Sequence, residues 1–128
     1  MTFGDIFKFQ DSEFVYIGET VDFVYAARIH NKDITVQLLN GRKSAERKGS
    51  PNLLRATIWS FIVLDTEEYR NLACHHGSAA DTDVKQYFHL VTSIIGQLNK
   101  NDMEVLKKDI LEFPCNKEIR KIVAELEI

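Results

Sequence analysis

The sequence predicts an α+β domain with a mostly antiparallel sheet, strands first and helices last. Three observations lead there. Apolar and polar residues alternate from Phe3 to Phe9. β-Branched and aromatic residues crowd Val21 to Ile29. Ile119, Ile122, Val123 and Leu126 recur at the spacing of a helix face. Strands joined by turns rather than long helices pair antiparallel, and a strongly bent sheet or small barrel would remove the exposed edges such a sheet leaves. One domain spans 1–128, with a strand-rich barrel over 1–98 and helices over 99–128.

Taken in order, Phe3 to Phe9 forms the first half-buried strand, and Asp11-Ser12 turns the chain. Phe14 to Ile17 is the second strand, broken near Gly18, and Val21 to Ile29 is the third. Residues 32 to 52 lose the strand pattern. With Asn40-Gly41 and Gly49-Ser50-Pro51 they read as a loop, with room for a short helix inside. Leu53 to Leu64 returns as a long strand. Asp65-Thr66-Glu67-Glu68 has the cap-and-acid pattern of a helix start, for a short helix ending by Gly77. Tyr87 to Ile95 is a further strand, closed by Gly96. Asn99 to Asp102 offers caps for a helix whose Met103, Leu106 and Ile110 share a face, and Pro114 stops it. The last helix carries the Ile119 stripe. Both helices are amphipathic, and the sheet or a partner protein would take their apolar faces.

The bulk numbers bound the function classes. At 128 residues with 45% hydrophobic and 27% charged residues, the chain has globular composition. Sixteen basic against 19 acidic residues give −3, too balanced for bulk attraction to nucleic acid or anionic lipid. Cys74 and Cys115 do not make a disulfide framework. No signal peptide is read at the N-terminus, and no apolar run nears the roughly 20 residues a membrane span needs. The expected location is cytoplasmic, with no membrane partner.

Three segments together resemble the PemK/MazF-like toxins of bacterial toxin–antitoxin systems. They are Gly4-Asp5-Ile6-Phe7, then Phe61 to Tyr69, then Ile94-Ile95-Gly96-Gln97-Leu98 running into Asn99 to Met103. The last is similar to that family's final strand, its Ile-Gly-x-Leu corner and the helix after it. The resemblance implies an SH3-like barrel with two C-terminal helices here, a homodimer, an antitoxin partner, and a growth-inhibiting endoribonuclease, a hydrolase that binds single-stranded RNA without a metal or cofactor. The family's active members carry an Arg-Pro pair where this chain has Val21, Asp22 and Phe23. For their Ile-Thr element, Thr57 is the match. The rival reading is a non-enzymatic interaction module on the same fold, docking through the C-terminal helix.

Metal-independent RNA cleavage requires a base, an acid and a cation for the phosphorane charge. Arg28 and His30, two apart on the third strand, point to one face. With Thr57 they form the candidate catalytic set, and Ser60 is a second hydroxyl near Thr57. The alternative is that Arg28 and His30 sit on the solvated end of a strand. The segment 41–55 carries Arg42, Lys43, Arg47, Lys48 and Arg55 against Glu46, a local +4, and reads as a basic loop for phosphate contact or as an ordinary solvated loop. Cys74-His75-His76, with His89 and Cys115 elsewhere, has poor metal spacing. A buried Cys74 on a short helix, with two histidines near its C-terminus, is the preferred reading, and no metal site is assigned.

Overall fold

The computed structural model describes residues 1–47, 61–76, 85–112 and 117–127. Six strands form one sheet: β1 (Asp5–Phe9), β2 (Ser12–Glu19), β3 (Val24–Ile29), β4 (Phe61–Val63), β5 (Ala73–His75) and β6 (Ile94–Gln97). Their order is β4-β5-β3-β2-β1-β6, and every pair is antiparallel. The α+β class and the antiparallel sheet follow the sequence expectation. Closure does not: among the described strands β4 and β6 stand at opposite ends of an open sheet, so the expected barrel is not formed.

Register creates two faces. Phe7, Phe14, Arg28, His75 and Phe61 stand opposite one another across five strands. Period-two alternation puts their neighbours, including Ile6, Val15, Ala27, Ile29, Cys74 and Ile62, on the other side. That second face is the larger core. Leu106 and Ile110 of α3 (Lys100–Glu112) and Ile119 and Val123 of α4 (Lys117–Ala124) pack onto it, with Met103, Ile122 and Leu126 at the margin. The apolar stripes of both helices are therefore spent on the sheet, not on a partner. Gly18 allows the close approach, because a Cβ there would lie 2.6 Å from Ile122 Cγ2. The first face has a smaller core of Phe7, Phe14, Tyr16, Val24 and Ala26, closed by Phe88 of α2 (Lys85–Val91).

Three local expectations change. Lys32–Arg47, expected as a loop, is the 16-residue helix α1. Asn31 caps it, accepting from Ile34 N–H at 2.9 Å, and Asp33 sits in the first turn where the helix dipole favours it. Tertiary anchors then override the turn-prone Asn40-Gly41 inside it, although an interior glycine costs about 1 kcal/mol. Thr35 accepts from Ala73 N–H, and Arg42 donates to the Phe61 carbonyl. The helix expected after Asp65 is only a 3-10 turn, Glu67–Tyr69, followed by β5. Tyr87 to Ile95 divides into the end of α2 and the start of β6. Of the strand expected over Leu53 to Leu64, Phe61–Val63 is β4 and residues 53–60 lie outside the described residues.

Asp102 joins the two halves of the chain. Its buried carboxylate accepts from the N–H groups of Asp65 and Thr66 and from the Thr66 hydroxyl. The same hydroxyl accepts from Asn99 N–H, and Asn99 Oδ1 caps α3 by accepting from Asp102 N–H. Thr66 thus anchors α3 rather than starting a helix of its own. No helix among the described residues is long and apolar enough to cross a membrane.

Candidate functional site

Strand β3 places Arg28 and His30 where alternation requires, at one end of the first face. Arg28 is exposed and donates from Nη2 to Ser12 Oγ at 3.1 Å. His30 follows the strand and is held by its N–H to the Ala73 carbonyl. Its Nε2 lies 3.4 Å from Nδ1 of His75, and the two rings are 5.5 Å apart between centroids. His75 in turn stands opposite Arg28 in the ladder. Two cationic-capable rings and a guanidinium therefore meet at one place.

A cleft of about 370 Å³ opens there, lined by Lys8, Ser12, Glu13, Arg28, His30 and Ile34 among others. The tight turn Gln10-Asp11 borders it. Both residues have positive φ, 49° and 64°, as a two-residue hairpin loop demands and as glutamine seldom adopts. The cleft is mixed in charge, so it suits a ligand with both an anionic group and hydrogen-bond donors better than a bare cation.

Partial burial of the imidazole is the main reason His30 has a pKa pushed down to about 4, with His75 and Arg28 adding repulsion. His30 is thus neutral near pH 7 and able to accept a proton. The sign of the stability effect follows. Its folded pKa lies below the ordinary 6.5, so the unfolded chain binds more protons between those values. The stabilising contribution is full above about pH 6.5 and is lost as pH falls through 6.5 towards 4. After allowance for solvent screening of this half-exposed ring, that loss is about 1–2 kcal/mol. Urea midpoints at pH 7 and pH 4.5 check it: His30→Gln should lose less stability than wild type across the window, and an equal loss contradicts this assignment.

Arg42 extends the row along the sheet. Its guanidinium stacks 3.7 Å above the Phe61 ring, and that ring meets His75 edge-on at 6.4 Å. Burial pulls the Arg42 pKa down, against the opposing pull of Asp109 and Glu46. Lys43 and Arg47 are exposed on the same helix. So the part of the expected basic loop that is described, Arg42 to Arg47, belongs to the C-terminal half of α1. Thr57, Ser60, Lys48 and Arg55 lie outside the described residues, as does Cys115.

Cys74 is not on a helix. It is fully buried in β5, and burial raises its thiol pKa well above the ordinary range, so it is an inert core residue. His75 ends β5 and His76 lies just beyond it, and the two side chains diverge. His75 meets His30, whereas His76 is buried with Nε2 2.7 Å from Asp109 Oδ2. His76 Nδ1 has no partner among the described residues. That divergence separates the adjacent histidines, and no group of three His, Cys, Asp or Glu placed to hold a metal ion occurs among the described residues.

Sequence reasoning found Arg28 and His30 but missed His75 as their neighbour. The available signal was its place beside the apolar Leu72-Ala73-Cys74, a run too short and too poor in β-branched residues to read as a strand. Comparisons of the chain with protein-family models, with curated proteins and with solved structures found no match.

Proposed function

We propose that the chain is a divergent PemK/MazF-like protein that binds single-stranded RNA in the Arg28–His30 cleft, and that its open sheet is a counterpart of that family's SH3-like barrel. The observation that carries this is the convergence of an exposed guanidinium and the neutral His30 imidazole, with His75 behind it, at an open, hydrogen-bonding cleft. Arg28 grips a phosphate oxygen, as a guanidinium does with geometric specificity. His30 takes the 2′-hydroxyl proton as that oxygen attacks phosphorus; the P–O5′ bond breaks, leaving a 2′,3′-cyclic phosphate, and the departing 5′-oxygen takes a proton from water. A base at pKa 4 is weak at neutral pH, but the incoming phosphate offsets the repulsion from Arg28 and raises it. Binding thereby improves the base that acts on the bound strand.

Support for the family reading comes from where its three segments lie. Gly4-Asp5-Ile6 pairs with Gly96-Gln97, and Leu98 N–H donates to the Gly4 carbonyl. Thr66 and Asp102 bind the second segment to the third. Separate stretches of sequence thus build one corner. In this reading the chain acts as a growth inhibitor in the cytoplasm, partnered by an antitoxin.

The test uses purified full-length chain and a mixed-sequence single-stranded RNA, scored for binding and for 2′,3′-cyclic phosphate ends. Arg28→Ala should weaken salt-sensitive binding by about 10-fold, as loss of one charged phosphate contact does. His30→Ala should abolish cleavage while binding persists. Wild type that neither retains nor cuts RNA at low salt overturns the proposal.

A further inference from the structure

We propose that the Arg28–His30 cleft selects guanine, with the Glu13 carboxylate accepting from the N1–H and the 2-amino group of the base. This rests on the RNA reading above and names the nucleotide the cleft holds. The cleft lies where β2 begins and β3 ends, so it draws on both faces of the sheet. Arg28 and Ser12 come from the first face. Glu13 stands opposite Lys8 and Ile29 in its two ladders, and alternation turns it, with Ile29, to the second face. One end of the cleft is therefore cationic, and the other is a carboxylate beside the apolar Ile29, Ile34 and Leu72. A nucleotide has the same two ends. At about 370 Å³ the cleft is near the small limit of ligand pockets, roughly 300–1,000 Å³, with room for one nucleotide rather than a run of them.

Glu13 is the acceptor in need of a donor. It is half-buried in the cleft wall, and no hydrogen bond or ion pair holds its carboxylate among the described residues. Other polar side chains of the cleft are engaged: Ser12 accepts from Arg28, His30 meets His75, and Asn31 caps α1. With Lys8 on the same face and Arg28 in the same cleft, a neutral donor is favoured over a second cation.

Among the RNA bases, guanine alone places two adjacent donors on its Watson–Crick edge, and an ionised carboxylate accepts both. Adenine and cytosine set one amino donor beside a ring-nitrogen acceptor, and uracil sets its N3–H between two carbonyl oxygens, so each turns a lone pair towards Glu13. Ile34, 36% exposed in the cleft, is covered by the face of the base. The ribose whose 2′-hydroxyl meets His30 carries that base, so the strand is cut on the 3′ side of guanosine.

Fluorescence anisotropy of the full chain with a short oligouridylate carrying one guanosine, inosine, adenosine or cytidine tests this at low salt. Guanosine should bind about 100-fold tighter than adenosine or cytidine, and inosine, which lacks the 2-amino group, should fall about 10-fold below guanosine. Glu13→Gln presents one donor and one acceptor, so its preference should pass from guanosine to adenosine; a folding defect weakens every oligonucleotide and does not exchange one base for another. Asp11→Asn, at an exposed carboxylate on the same cleft, should keep the guanosine preference. Guanosine 3′-monophosphate, titrated against the same variants, separates the pocket from the strand. Equal binding of every oligonucleotide, a guanosine preference that survives Glu13→Gln, or one that Asp11→Asn removes in its place overturns this inference and leaves RNA binding standing. If no oligonucleotide binds but the mononucleotide does so through Glu13, the RNA reading falls and the guanine pocket stands. If neither binds, both fall.

Discussion

Asp102→Ala is expected to destabilise the chain by about 3–5 kcal/mol, because it removes a buried carboxylate on which three donors converge. The carboxylate is almost fully buried and serves the N–H groups of Asp65 and Thr66 and the Thr66 hydroxyl. The loss is a large share of the roughly 5–15 kcal/mol that holds a domain of this size together. Asp102→Asn keeps one acceptor oxygen but points an amide at the remaining donors, so it should recover only part of the loss. Thr66→Val isolates the hydroxyl and should cost less than either. Urea denaturation of the three variants orders them. If Asp102→Ala costs under about 1 kcal/mol, water has replaced the carboxylate and the knot is not structural.

This knot shows what sequence reading reaches and where it stops. Asn99 was legible as a cap because its bond to Asp102 N–H is local, three residues along the chain. The Asp102 side chain was not, because its partners are 36 and 37 residues away and nothing in a helix start names them. The cap expected at Asp65, with Glu68 three residues on, failed for the same reason: the 3-10 turn starts after Thr66, which makes no side-chain cap bond there and gives its hydroxyl to α3. Strands β1, β2 and β3 read well because alternation and β-branching act within each segment. In contrast, α1 is polar over most of its length and contains Asn40-Gly41, so its helicity rests on Asn31, Thr35 and Arg42 and on the strands they hold. The barrel expectation came from an argument about edges. The sheet meets that demand differently, with a bulge at β6 and with α1 anchored to the Phe61 carbonyl of β4.

The candidate site divides along the same line. Arg28 and His30 share a face by period two, which any strand would enforce. His75 joins them only because β5 lies beside β3, a pairing across 45 residues that carries no local signature. The depressed His30 pKa is likewise a tertiary product, since its causes are burial, His75 and Arg28. Adding inorganic phosphate should therefore move the His30 titration upward if the cleft is the anion site proposed above, a shift that NMR of the imidazole protons reads directly.

Phe88→Ala should cost about 3–5 kcal/mol, the range for deleting a buried aromatic ring. Phe88 is the α2 side chain in the smaller core, where it meets Phe7 edge-on with ring centroids 5.0 Å apart and Phe9 at 6.0 Å. Among the described residues the smaller core around it is otherwise built by strand side chains and Met1, so its loss leaves a cavity there. Among the described residues α2 is also tethered by the part-exposed His89–Glu19 pair, and such pairs contribute roughly 0–1 kcal/mol. Hence α2 should detach before the sheet unfolds: amide exchange should rise first in 88–95, while Leu106 and Ile110 on the opposite core keep their protection. Exchange that rises equally on both faces would mean the two cores are one cooperative unit, and α2 an integral part of it.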